Sequence, residues 1–383
     1  MRKSIVSLLL LTFLLHVQCT SDVYSQNLRI RIFSVNNISE FSFTPSFGTY
    51  FLNDSVKIKK QDKVSIKPEN GRISVTINET SSVFKDSVRL YSEDLKCFFQ
   101  ITPKNVKARR YDNNLIVKLS ADKTNLILIN EVSQDNYLAG VVQSEAGGAS
   151  DNTEFFKVQA ICCRSYMMRF INKHSKDGYN LCDDVNCQVY LSRANKTQCL
   201  EGASQTSGEV IVDKNDKIIE TLFHSNSGGQ TVNSEDVWSN KIDYLRSVTD
   251  TFSYGMPNYK WEKEITQRDW LNYFKSKGVD VKENKKQLLN FSQSEGRKAK
   301  ILGIALTQVR KDFNLKSTFF DVVPWGNNVL LKGKGYGHGV GMSQEGAVRM
   351  CNEGYEYWEV IEHYYKDVKI KNLNKQENSA EEE

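Results

Sequence analysis

From Leu28 to about Leu128 the apolar residues arrive in short runs, several of them alternating with polar ones. Leu28 to Phe33, Tyr50 to Leu52, Val64 to Ile66, Ile73 to Ile77, Ser87 to Tyr91, Cys97 to Ile101 and Asn114 to Leu119 read as strands. Turn residues such as Glu69-Asn70-Gly71 and Asp112-Asn113-Asn114 separate them. After Asn136 the period changes. Phe156, Ala160, Cys163, Met167 and Phe170 share one helical face, which predicts an amphipathic helix over 154–171 with Asp151 and Glu154 as its capping box. Strands are expected again at Glu209 to Val212, Ile218 to Phe223 and Asn327 to Leu331, and helices at Ser343 to Cys351 and Tyr357 to Tyr365. A charged stretch near 265–300, poor in β-branched residues, reads as a peripheral helical insertion.

The ends change this picture. Met1-Arg2-Lys3-Ser4 followed by an apolar run from Ile5 to Leu15 has the layout of an export leader and is short for a bilayer span. Cleavage after Ser25 and lipidation at Cys19 both fit, so the chain is expected in the periplasm or cell envelope, peripheral to a membrane or lipid-anchored at most. The expected organisation is therefore a leader over 1–25, a β-rich module over 26–128, an α+β domain with a mixed sheet and packed helices over 129–370, and a disordered acidic tail over 371–383. Lys and Arg number 51 against 46 Asp and Glu, spread along the chain, which argues against nucleic acid as partner. Of eight cysteines, seven remain after the leader, an odd number that makes a poor disulfide framework.

Four segments carry candidate chemistry. Glu145 ends an apolar stretch just before Gly147-Gly148; half-buried there, its carboxyl would be pushed toward a general acid's range, although a solvated loop glutamate is the plainer alternative. Phe223-His224-Ser225-Asn226-Ser227-Gly228-Gly229 ends a strand with hydroxyls and bare backbone N–H groups suited to sugars, or is simply a polar turn. Gly333 to Gly341 places glycine at every second position, so a substrate chain or another backbone is expected to pass close by. No register of it gives the dinucleotide fingerprint. His174, Cys182 and Cys187 in one polar loop suit zinc, with a Cys182 to Cys187 disulfide as the competing reading. Cys162 and Cys163 read as structural.

The order of these segments resembles the SpoIID/LytB family. Tyr137-Leu138-Ala139-Gly140-Val141-Val142 with Ser144-Glu145 opens the resemblance. Arg164-Ser165-Tyr166, Cys187-Gln188-Val189-Tyr190, Ser227-Gly228-Gly229 with Trp238, and Gly335-Tyr336-Gly337-His338-Gly339-Val340-Gly341-Met342-Ser343-Gln344 come next in order. The resemblance implies a peptidoglycan lytic transglycosylase with Glu145 as catalytic residue. It also implies zinc on His174, Cys182 and Cys187. Glycan contacts would come from Arg164, Gln188, Tyr190, His224, Ser225, Ser227, Gly228, Gly229, Gly337, His338, Gly339, Ser343 and Gln344. The alternative implied role is a non-catalytic enhancer of a cell-wall amidase. The chain departs from the family pattern at Ala146-Gly147, where Met-Pro is usual.

Overall fold

The computed structural model describes residues 27–94 and 96–375. The expected leader, Cys19 included, and most of the expected tail lie outside them. The tail expectation also began too early, because Lys371 and Asn372 belong to the strand Val368–Asn372. The fold is α+β, as the sequence pattern predicts. The described residues divide into two compact units, one of 27–147, 167–208 and 372–375, the other of 148–166 and 209–371.

The first unit holds two sheets. One runs in the order Leu181–Cys182, Leu28–Ile32, Leu126–Val132, Asn114–Leu119, Ser87–Tyr91, Tyr50–Leu52, Val56–Ile58. The other runs Arg109–Asp112, Phe98–Pro103, Phe41–Phe47, Val64–Glu69, Arg72–Ile77, Thr80–Phe84. Alternation is what makes these strands. Leu28, Ile30 and Ile32 are buried while Arg29 faces out, so a one-residue slip would turn the apolar set to solvent. The strand Phe41–Phe47 escapes the sequence reading because Pro45 interrupts it, and the register shifts there, where a bulge accommodates proline. The expected boundary at 128/129 falls inside the strand Leu126–Val132, which pairs on both sides; the β-rich segment therefore runs on without a break to Val132.

Beyond Val132 lies a helix that the periodicity hid. Gln134–Ala146 is helical, and Tyr137, Leu138, Ala139, Gly140, Val141 and Val142 are all buried, so apolar residues surround it and no polar stripe marks its period. Ser133 caps it by accepting the Asn136 N–H at 3.4 Å. It packs on a second unforeseen helix, Thr197–Gln205.

The helix Thr153–Phe170 forms where expected, with Phe156, Ala160, Cys163 and Met167 buried. Asn152 precedes it and accepts the Glu154 N–H at 2.9 Å, while the Glu154 carboxylate accepts from Lys157 and from the Tyr357 N–H, so Glu154 does not close a capping box on Asp151. In the second unit, the strands Lys260–Thr266, Asn328–Lys334 and Phe319–Trp325 form an antiparallel sheet. The helices Gln267–Ser276 and Val281–Leu289 lie in the segment read as peripheral, yet Trp270, Phe274 and Leu288 bury themselves with Trp261, Phe320 and Leu331 in a core of their own. The expected strand Ile218 to Phe223 reduces to one bridge, Val212 with Ile218, and the two-residue strand Phe223–His224 beside Met342–Ser343.

Candidate functional site

Glu145 is the penultimate residue of the Gln134–Ala146 helix. It is half-buried, and its Oε1 accepts the Val189 N–H at 2.9 Å. Burial raises its carboxyl above the ordinary range, and the Val189 N–H opposes this more weakly. The negative end of the helix dipole acts in the same sense as burial. The carboxyl is thus pushed toward retaining a proton while one oxygen stays oriented.

The strand-like segment carrying Val189 is clamped to this helix. Leu191 N–H donates to Ser144 Oγ at 3.0 Å, Tyr137 Oη donates to Gln188 Oε1 at 3.4 Å, and Gln143 Oε1 accepts from the N–H groups of Asn195 and Lys196 at 2.8 Å each. Gly140 permits the approach: a Cβ there would lie 2.4 Å from the Tyr190 ring. Tyr190 is fully buried, stacks edge-on with Tyr137 and donates to Asn130 Oδ1 at 3.0 Å. It therefore supports the helix bearing Glu145 and presents nothing to a glycan, contrary to the expectation for it. Gln188 is likewise buried.

His174, Cys182 and Cys187 come together in the same unit, their ligand atoms all within 4.8 Å of one another, and both thiols are free. Cys187 Sγ lies 3.5 Å from His174 Nε2. The Cys182 thiol beside it holds Cys187 down to about 7, toward the thiolate that binds metal. Tetrahedral zinc sets a sulfur–nitrogen edge of about 3.6 Å, so the donors fit the ion.

In the second unit the glycine-rich segments pack against each other. Gly335, Gly337, Gly339 and Gly341 have φ of 77°, 117°, 86° and 70°, so the alternation marks left-handed turns and not a strand. A Cβ on Gly335 would meet Asn226 O at 2.6 Å, and one on Gly341 would meet Leu222 O at 2.1 Å. The close neighbour is thus another backbone. Gly228, Gly229 and Gly337 already donate their N–H groups, to Asn226 Oδ1, Ser227 Oγ and Lys316 O, and Gly339 is buried against Arg297 and Val232. Gly228, Gly229 and Gly337 thus build the loop with their N–H groups already taken, which corrects the expected sugar contacts there, and Gly339 is buried.

Three more expected contacts are structural. Ser227 is fully buried and donates to Asp250 Oδ2 at 2.6 Å. Ser343 is fully buried and caps the helix Gln344–Asn352 by accepting the Gly346 N–H. Arg164, 1 % exposed, donates to Glu209 O at 3.2 Å. Glu345 is gripped by Asn226 Nδ2 at 2.6 Å and Asn258 Nδ2 at 2.7 Å. Ser225 and Gln344 are half-buried; Ser225 Oγ accepts from Asn258, and Gln344 donates to Gln159.

The two histidines differ in role. His224 is buried, and its Nδ1 faces Val340 O at 3.2 Å, so Nδ1 carries the proton and Nε2 is a buried acceptor without a partner among the described residues. His338 Nδ1 accepts the Val340 N–H at 3.1 Å, which places its proton on Nε2. Burial, then the neighbouring cations, hold His338 down to about 4 and His224 well below its usual value, so both are neutral at pH 7. Their rings stand 5.5 Å apart, and half-exposed Trp238 lies 5.3 Å from His338. The sequence reading missed Arg297, half-buried and donating to Ser227 O and Gln230 O, because a lone arginine in a polar stretch leaves no signal.

A family model described as Stage II sporulation protein, SpoIID, matches residues 122–212. Stage II sporulation protein D of Bacillus subtilis is 30 % identical over 263 residues, 63 % of this chain and 75 % of that protein. The protein of the same name from Bacillus amyloliquefaciens is 28 % identical over the same shares. A Bacillus subtilis protein named Amidase enhancer is 26 % identical over 60 % of this chain, which spans 39 % of that relative.

Proposed function

The chain belongs to the SpoIID family, and from that premise we propose that it is a peptidoglycan lytic transglycosylase whose single catalytic acid and base is Glu145. The observation that carries this reading is a half-buried carboxyl, raised by burial and aimed by the Val189 N–H, at the end of a helix clamped in place. Hydrolytic glycosidases pair two carboxylates because one must activate water. Here the attacking group belongs to the sugar. Glu145 protonates the glycosidic oxygen as the C1–O4 bond between N-acetylmuramic acid and N-acetylglucosamine breaks. The muramyl C6 hydroxyl then bonds to C1, and its proton passes to the Glu145 carboxylate, restoring the acid. No water is consumed, and the product is a 1,6-anhydromuramyl end.

This role fixes the sign of the pH dependence. The acid is active while protonated, so kcat/KM falls as pH rises through the raised Glu145 pKa. Stability shifts the same way: a carboxyl whose folded pKa is raised contributes stabilisation below its unfolded value that is lost as pH rises through the folded one. Glu145→Gln removes the shift in stability. A pH–rate profile that stays flat through the carboxylate range and up to neutrality contradicts the role.

We assign zinc to His174, Cys182 and Cys187, where it would tie His174 and Cys187 to the short strand Leu181–Cys182 between them as a structural cross-link. Elemental analysis should find about one zinc per chain, lost in Cys182→Ser or Cys187→Ser. A Cys182–Cys187 disulfide without metal in protein purified free of chelators overturns the assignment.

The protein acts at the cell wall in this reading, exported by its leader; no helix among the described residues is long and apolar enough to cross a membrane. The similarity to a protein named Amidase enhancer supports a second reading, in which the chain binds wall glycan and stimulates a separate amidase. That reading requires no turnover by the protein alone.

A further inference from the structure

Arg310 lies in the last turn of the helix Leu306–Asp312, with only part of its guanidinium hydrogen-bonded. Its Nε faces Leu315 O at 3.3 Å, whereas its two terminal nitrogens make no hydrogen bond among the described residues. No carboxylate among the described residues pairs with Arg310, Arg297 or Lys316. Arg297 is spoken for, since Ser227 O, Gln230 O and Thr318 Oγ1 take its donors, yet all three acceptors are neutral. Two half-buried guanidinium groups without a paired carboxylate are costly. Burial lowers both, and the Arg310 charge lowers Arg297 further, so the field of Arg310 reaches across to its neighbour.

The cations border an aromatic surface. Lys316 Nζ lies 5.7 Å above the ring of Tyr336, which is 45 % exposed, and Lys316 O accepts the Gly337 N–H at 3.0 Å. Gly337 packs on the buried His224. Beyond it stand His338 and the exposed Trp238. A planar fork of N–H donors held at Leu315 O, next to Lys316 and the Tyr336 ring beneath it, matches a carboxylate carried on a sugar: the fork takes the oxygens and the ring covers the apolar sugar face.

We propose that Arg310, with Lys316 and Tyr336, forms a binding site for a carboxylate borne on the amino-sugar strand. The inference rests on the glycan-binding part of the function proposed above and leaves the chemistry at Glu145 aside. Two sources supply such a group. The lactyl ether of a muramyl residue carries a free carboxylate where no peptide is attached, and a stem peptide carries carboxylates of its own.

The test is calorimetric binding to the Glu145→Gln protein, so that no probe is consumed, with three tetrasaccharides: a neutral N-acetylglucosamine oligomer, a peptide-free alternating muramyl oligomer, and the same oligomer with peptides attached. At least one carboxylated probe should bind about tenfold or more tighter than the neutral one, the advantage shrinking with added salt. Tight binding of the peptide-free probe identifies the lactyl group, and tight binding only of the peptide-bearing probe identifies the stem peptide. Arg310→Gln should abolish the advantage while leaving the neutral oligomer's affinity unchanged and the thermal midpoint unchanged or raised, and Arg310→Lys should restore part of the advantage. Equal affinity for all three probes, or an advantage untouched by Arg310→Gln, overturns the proposal. Because the readout is affinity, a protein that binds through Arg310 but never turns over would sink only the transglycosylase reading.

Discussion

Glu145→Gln protein is expected to fold, to keep its affinity for glycan strands and to lose turnover by on the order of 10² or more, the weight of a general acid and base. Glutamine retains the size and one acceptor oxygen for the Val189 N–H. It can neither give a proton to the glycosidic oxygen nor take one from the C6 hydroxyl. Burial disfavours the ionised glutamate, so the neutral replacement should leave the thermal midpoint at neutral pH unchanged or slightly raised. Loss of turnover together with a lowered midpoint would point to damaged structure. Unchanged turnover would remove Glu145 from the mechanism. Glu345→Gln is the contrasting variant, because that carboxylate is occupied by Asn226 and Asn258, and its effect should appear in stability before it appears in rate.

Gly341→Ala should produce the largest loss of stability. A Cβ at this position would sit 2.1 Å from Leu222 O, and the residue's φ of 70° lies in the left-handed region. Leu222 O cannot easily move, since it accepts from Met342 N–H at 3.0 Å and from Tyr365 Oη at 2.8 Å. Left-handed strain of about 1 kcal/mol adds to an overpacking cost of roughly 1–3 kcal/mol. The sum is about 2–4 kcal/mol, or a fall in thermal midpoint of roughly 5–15 °C for a unit of this size. His224 lies two residues after Leu222, so its position should be disturbed as well. Gly148→Ala is the control: nothing lies within 4 Å of its Cβ position, and the change should stay within about 0.5 kcal/mol. Equal midpoints for the two variants would mean that the Gly341 turn is not the tight packing described.

The sequence was legible where one face of an element is buried and the other is not. Leu28, Ile30 and Ile32 announce their strand, and Phe156, Ala160, Cys163 and Met167 their helix, because solvent leaves a polar stripe opposite each. The helix Gln134–Ala146 has no such stripe, so the element that positions Glu145 was invisible although Glu145 itself stood out. The cluster of His174, Cys182 and Cys187 was legible because soft ligands within one short loop are scarce, and the fold brings the three together. The glycine motifs were legible as close approach but not as to what approaches, because a backbone neighbour and a sugar leave the same requirement for a missing Cβ. Tyr190, Ser227 and Ser343 looked like sugar contacts for the related reason that hydroxyls serve buried hydrogen bonds equally well. Arg310 and Arg297 left no mark at all, since only the fold reveals that no carboxylate pairs with them among the described residues.

The central claim is that this protein alone cleaves glycan strands without water. Mass spectrometry of purified wild-type protein incubated with peptide-free glycan tests it most directly. The account predicts products ending in 1,6-anhydromuramic acid, lighter by one water than hydrolytic products and absent with Glu145→Gln. Reducing-end products one water heavier, or no products until an amidase is added, would contradict it.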